Sequence, residues 1–295
     1  MPLYTQIPIN NPQLHNQKDL TSITRDEYEN YFLPHPSTKF ERIMRVILFF
    51  VTFGPLRMLL TIFCIIIGVS QMPILNFFKK YFKTPKDYKL WAQKMLYPIT
   101  RLGLFSIGIL HIKKTGSIRP NTRTIVINHL TLFDIFVVTS QFDSSFLSMA
   151  SLRHIFFMKS VDQIFNMIYV DRSKTKQGTT EVLCKYQNDY SRVPVVIFPE
   201  GKVTNGDILL GFRTGAFVND TPLQAMTLRY KLWFCPRGMS TIAWIHNNFL
   251  FYIWQVYTIP FMTLEINCLD QVCFEGSGKT PHEKAKEIEL MMANS

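Results

Sequence analysis

From Val46 to Val69 the chain runs for 24 residues in which the only ionisable groups are Arg57 and the thiol of Cys64. A one-faced helix of a soluble domain needs polar punctuation, so this run constrains everything around it. As one straight helix it would reach about 36 Å at about 1.5 Å per residue, enough for about 30 Å of hydrocarbon. Gly54 and Pro55 break it, however, and Arg57 would then lie near the bilayer centre, where charge is costly. Each half alone is expected to be too short to cross. Lys39, Arg42 and Arg45 stand before the run, and Lys79, Lys80, Lys83, Lys86, Lys89 and Lys94 after it. Two positive flanks favour both ends on the cytoplasmic side, which predicts a re-entrant or interfacial helical hairpin over residues 41–70. A kinked single span is the alternative, and a buried core helix the third option.

The formal net charge is +11, and its location is informative. Between Gln71 and Arg123 stand eleven Lys or Arg and one acid, Asp87. Within that block Leu90, Trp91, Met95, Leu96, Ile99, Leu102 and Leu104 have spacings compatible with an amphipathic helix from Asp87 to about Ile107. Residues 71–123 are therefore expected to form a basic region that docks on an anionic membrane, with a solvated charged face as the bland reading. The same charge would suit nucleic acid, but no zinc-finger spacing, RNA-recognition aromatic box or basic zipper occurs. A chain that is 47% apolar and 18% charged is not disordered over most of its length. Residues 1–40 are polar with scattered prolines and are expected to be a flexible arm. They lack a secretory apolar run, and Pro2 excludes myristoylation. The five cysteines show no framework and are expected to be reduced.

Residues 124–295 alternate short β-branched runs with helix-like stretches. Strands are expected at 124–128, 146–150, 167–170, 193–198, 223–229 and 262–268, with helices at 132–141, 175–190 and 212–218. This predicts an α/β domain with a mostly parallel central sheet flanked by helices, whose chemistry gathers beyond the strands' carboxyl ends. Phe249 to Phe261 is expected to pack in the core, with Trp254 and Tyr257 reaching toward the interface. Thr280, Pro281 and Glu283 form a capping box with proline at the first helical position, predicting a C-terminal helix through Met292. Gly278, Lys279 and Thr280 do not make a phosphate-binding loop, because Cys273 stands where that pattern needs glycine.

The first of these strands empties into Asn128-His129-Leu130-Thr131-Leu132-Phe133-Asp134. On one continuous helix His129 and Asp134 would diverge by about 140°. They meet if His129 lies in the strand-to-helix turn and Asp134 in the first helical turn. Such a pair is the base-and-orienter half of a triad. No Gly-x-Ser-x-Gly motif supplies a nucleophile, which points to a hydroxyl brought by a substrate. The seven histidines form no paired metal-ligand spacing, so no metal is expected.

With its four ordered blocks the chain resembles the glycerolipid acyltransferase family. Asn128, His129 and Asp134 resemble the first; Tyr169, Val170, Asp171 and Arg172 the second; Phe198, Pro199, Glu200 and Gly201 the third; Thr221 to Gln224 with Arg229 and Tyr230 the fourth. Thr204, Asn205, Gly206, Phe212, Gly215, Ala216 and Phe217 resemble the lysophosphatidylcholine and lysophosphatidylethanolamine branch in particular. The resemblance implies an enzyme that uses acyl-CoA as co-substrate, with no resident cofactor, to esterify a lysophospholipid or lysophosphatidate on the cytoplasmic face of the endoplasmic reticulum. A lipid-droplet surface is also compatible. It implies His129 as base with Asp134 behind it, Arg172 on the acceptor phosphate, and Glu200, Gly201 and Lys202 at the substrate pocket. Two positions depart from the pattern: Lys202 replaces a usual threonine and Ala225 a usual proline. The alternative is therefore a catalytically weak or inactive membrane or lipid-droplet adaptor on the same scaffold.

Overall fold

A computed structural model describes residues 4–5, 31–34, 36–150, 154, 158–165, 167–170, 176–206, 208–235, 241–245 and 248–295. Most of the expected N-terminal arm lies outside them, although Tyr4–Thr5 (β1) pairs with a central strand.

The remaining strands are Ile109–Thr115 (β2), Thr124–Ile127 (β3), Ser145–Met149 (β4), Ile168–Val170 (β5), Val195–Ile197 (β6), Leu223–Trp233 (β7) and Phe261–Val272 (β8). The helices are Lys39–Val51 (α1), Gly54–Phe78 (α2), Pro85–Ser106 (α3), Asp134–Gln141 (α4), Met158–Phe165 (α5), Lys176–Gln187 (α6), Phe249–Thr258 (α7) and Pro281–Ala293 (α8). Sheet order is β2-β8-β7-β3-β6-β4-β5, with β1 on β7. All these pairs are parallel except β7–β8 and β1–β7, so the expected α/β class with a mostly parallel sheet holds. The four residues of β3, Thr-Ile-Val-Ile, are buried on both faces, as a central parallel strand requires. Strand β3 thus delivers His129 at the carboxyl end of the sheet's centre.

Several expectations change. Strand β2 lies inside the stretch read as basic docking region; its lysines, Lys113 and Lys114, sit on an exposed edge strand, where they discourage edge-to-edge pairing. Helix α5 has no counterpart among the expected helices, and the helix expected at 212–218 is only a 3₁₀ turn, Thr214–Phe217, in a stretch with Gly211 and Gly215. In α7 Tyr257 is buried rather than interfacial, and the exposed end is Phe249, Leu250 and Phe251. The C-terminal helix starts with the expected reciprocal cap between Thr280 and Glu283.

The apolar run divides into α1 and α2 at Thr52 and Phe53, with Pro55 in the first turn of α2. The second half is not short. Helix α2 continues through Pro73 to Phe78, and Gly54–Tyr81 is long and apolar enough to cross a membrane. Ser70, Gln71 and Pro73 made the run look finished in sequence.

Arg57 does not face hydrocarbon. Its Nε donates to the Ser106 carbonyl at 3.0 Å, and Nη1 donates to the Ile259 and Pro260 carbonyls at 3.0 and 3.2 Å. Gly108, at φ +104°, leaves the room this guanidinium occupies. The cation therefore fastens α2 to the ends of α3 and α7. Arg57→Leu removes donors from buried carbonyls and is expected to cost about 3 kcal/mol of stability. A melting temperature within error of wild type would show that the clasp contributes nothing.

Lys89 also departs from its expected lipid-facing position. It is buried, donating to the Ser144 and Phe165 carbonyls and to Ser145 Oγ, and burial lowers its pKa to about 7. Position 89 shares a helix face with Ala92 and Leu96, which are in the core.

Candidate active site

The turn after β3 is built from the strand outward. The Asn128 side chain donates to the Leu228 carbonyl at 3.1 Å and accepts from the Leu228 amide at 2.8 Å, locking the turn to β7. The next residue, His129, then leaves the sheet while its backbone N–H donates to Glu200 Oε1 at 2.9 Å. Helix α4 begins at Asp134, so the carboxylate sits in the first helical turn. It reaches back across the turn: Oδ2 accepts from Leu130 N at 2.8 Å and Thr131 N at 2.9 Å, and lies 2.9 Å from His129 Nδ1. Oδ1 accepts from Tyr230 Oη at 2.5 Å. The two residues that a continuous helix would separate are thus brought together by the turn.

Asp134 is fully buried, whereas the His129 side chain is 24% exposed. With Nδ1 engaged, Nε2 is the nitrogen left to exchange a proton. The imidazole stacks on Phe198 with centroids 4.3 Å apart. Burial disfavours the imidazolium, but the Asp134 hydrogen bond and charge, with the Glu200 charge, more than offset this, and the pKa is raised above 6.5. Tyr230 is held protonated by burial and by Asp134, and so remains a donor.

Glu200 faces inward. Its second oxygen accepts from Leu210 N at 3.0 Å, so both oxygens brace backbone amides. Burial pushes its pKa up to about 7 against those two hydrogen bonds. Gly201 follows at φ +66°, and a Cβ there would meet Arg213 Nε at 2.4 Å. Only glycine admits this approach. Lys202 Nζ lies 5.0 Å from the ring centroid of Phe32, and Asn205 N donates to the Tyr31 carbonyl at 2.8 Å, so residues just before α1 rest on this loop. Arg172 lies outside the described residues. Three participants went unassigned in sequence: the Tyr230 hydroxyl, the Phe198 ring and the Arg213 guanidinium. Phe198 and Tyr230 stand in the third and fourth blocks, and strand alternation puts Tyr230 on the same face of β7 as Leu228, but nothing in sequence marks Arg213.

Residues 111–229 match the acyltransferase family model. A lysophospholipid acyltransferase of Arabidopsis thaliana, LPEAT2, is 26% identical over 67% of this chain and 36% of its own length. Lysophosphatidylcholine acyltransferase 2B of Rattus norvegicus is 26% identical over 70% of this chain and 41% of its own. The chain thus spans about two fifths or less of these curated relatives. In solved structures, the 1-acyl-sn-glycerophosphate acyltransferase of Thermotoga maritima has the same fold, with a TM-score of 0.57 at 15% identity, covering 80% of this chain and 94% of that one.

Proposed function

We propose that this chain, which belongs to the acyltransferase family, transfers an acyl group from acyl-CoA to the free hydroxyl of a lysophospholipid at a membrane surface. The observation that carries the reading is the His129–Asp134 contact of 2.9 Å at the carboxyl end of β3. His129 Nε2 takes the acceptor's hydroxyl proton as that oxygen attacks the thioester carbonyl. The carbonyl oxygen gains charge, the C–S bond breaks, and the imidazolium returns its proton to the departing coenzyme A thiolate. Asp134 holds Nδ1 protonated and stabilises the imidazolium. Glu200 sets the His129 backbone, Gly201 gives Arg213 its place beside that loop, and Arg172 is the partner proposed for the acceptor phosphate, with Lys202 at the pocket's rim.

The membrane reading rests on exposed apolar side chains along α1 and α2, among them Phe40, Phe50, Leu59 and Ile66. Helix α2 lies along α3, whose other face joins the domain; standing α2 across a bilayer would draw Lys94 and Arg101 into hydrocarbon. An α1–α2 pair lying in the cytoplasmic leaflet avoids that cost. The endoplasmic reticulum is the membrane proposed, and a lipid-droplet monolayer would accept the same geometry.

Assays with labelled acyl-CoA and a panel of lysophosphatidate, lysophosphatidylcholine and lysophosphatidylethanolamine test the activity. Ester product with at least one acceptor is expected; no product with any would favour a non-catalytic adaptor, the reading to which Lys202 and Ala225 lend weight. His129 works as a base only when neutral, and its pKa is raised, so kcat/KM should fall on the acid side with an apparent pKa above 6.5. An acid limb at or below 6.5 would count against His129 as the base.

A further inference from the structure

A cavity of about 520 Å³ lies at the opposite pole of the sheet from His129. Its wall includes residues that lead into the amino ends of β3 and β6, together with one face of α3 and the end of α4. At about 3.3 Å per residue, the seven steps from Thr122 to His129 put about 20 Å between the two sites.

Six cations line this cavity, Lys86, Lys94, Lys114, Arg119, Arg123 and Arg192, against one carboxylate, Asp143. Two of the six are engaged structurally. The Arg123 guanidinium donates to the carbonyls of Tyr186, Gln187, Asp189 and Arg192, and Arg192 pairs with Asp189 at 2.7 Å. Lys114 Nζ sits 4.0 Å from the centroid of the Phe142 ring, which leaves its charge uncompensated at the wall. Lys86, Lys94 and Arg119 make no ion pair among the described residues.

Gln93 supplies an independent sign. It lines the same cavity and is 8% exposed, yet neither polar atom of its amide has a hydrogen-bond partner among the described residues. Leaving a buried amide unsatisfied is costly, and a stable fold seldom carries one without a use for it. Both amide atoms are closed to solvent in this conformation, so a turn of the side chain toward the cavity would let Nε2 donate to a ligand oxygen, and the surrounding cations favour an anion there. Arg119 adds a planar fork suited to two oxygens of one phosphate, and a volume of this size accommodates a small ligand.

We propose that this cavity is a second binding site, separate from the acyl-transfer centre, for a phosphate-bearing anion held by Lys86, Lys94, Arg119 and the Gln93 amide. The phosphate belongs either to an anionic phospholipid headgroup or to a soluble phosphate compound. The site does not depend on the acyltransferase reading.

The test is thermal melting of the full chain in detergent, titrated with sodium pyrophosphate at ionic strength held constant with chloride, alongside melting in phosphatidylcholine nanodiscs with and without phosphatidic acid. A saturable rise of several degrees is expected in at least one arm. A rise confined to phosphatidic acid discs identifies a lipid headgroup, and one in pyrophosphate a soluble ligand. Lys94→Gln with Arg119→Gln should weaken the apparent affinity at least tenfold, while His129→Ala leaves it unchanged. Gln93→Met should raise the melting temperature without ligand and shrink the ligand-induced rise, an opposition of signs that a purely structural residue does not produce. It also decides the matter if the double variant fails to fold. No saturable rise in either arm, or an undiminished rise in the double variant or in Gln93→Met, overturns the proposal.

Discussion

His129→Ala is expected to lower kcat for acyl transfer by about 10³-fold, the middle of the ~10²–10⁴ range that a positioned general base contributes. KM should change little, because the imidazole acts on the reacting hydroxyl and the phosphate is held elsewhere. Stability should change little as well. The His129 side chain is partly exposed, and its one side-chain hydrogen bond among the described residues is to Asp134. With the ring removed, Asp134 keeps the Leu130 and Thr131 amides and the Tyr230 hydroxyl, so no buried charge loses its last donor. The cost is the Phe198 stacking contact, about 1 kcal/mol. A kcat within tenfold of wild type, in a variant that melts normally, would remove His129 from the mechanism.

Asp134→Asn should cost activity by about 10³–10⁴-fold and stability by about 2 kcal/mol. One carboxylate oxygen faces three N–H groups, from His129, Leu130 and Thr131, and the other faces the Tyr230 hydroxyl. An amide has one oxygen. If that oxygen keeps the three N–H donors, the NH₂ confronts Tyr230, whose hydroxyl must turn to accept. In either orientation the negative charge that stabilises the imidazolium is gone. Both readouts are needed: thermal melting for the hydrogen bonds, and kcat under saturating substrates for the charge. Tyr230→Phe separates the contributions further. Asp134 keeps its charge but loses a donor, so His129 becomes more basic and the acid limb of the rate profile should move to higher pH. An unmoved limb would make Tyr230 a packing residue only.

Much of this centre was readable in the residues. The sequence pairs His129 with Asp134 because the strand into Asn128 is short and β-branched and the helix pattern resumes just after it. Their meeting needs a turn at that place, and the turn is there. Glu200 was legible as a position but not as a brace, because the amides it accepts, from His129 and Leu210, come from segments far apart in sequence or in a loop without periodicity. Tyr230 was visible as a core residue of a strand, yet nothing local announced that its hydroxyl meets a carboxylate 96 positions earlier.

The fold shows the same division. The buried strands β3, β6 and β7 were found from apolar runs, whereas edge strand β2 was hidden among lysines that also suit a membrane surface. In sequence Arg57 looks like a cost near the bilayer centre and Lys89 like a headgroup-facing charge, since composition counts a cation without saying which carbonyls await it. A long apolar helix was expected to stop where Ser70 and Gln71 stand, but packing against α3 carries α2 on to Phe78.

The central claim is that a hydroxyl of the acceptor, activated by His129, takes the acyl group directly from the thioester. Incubating the purified chain in lipid vesicles with isotopically labelled acyl-CoA and a lysophospholipid, then analysing ester product and free coenzyme A by mass spectrometry, tests it most directly. One ester formed per coenzyme A released is expected, dependent on both substrates and about 10³-fold slower in His129→Ala. Coenzyme A release without ester, or ester formation at the wild-type rate in His129→Ala, would contradict it.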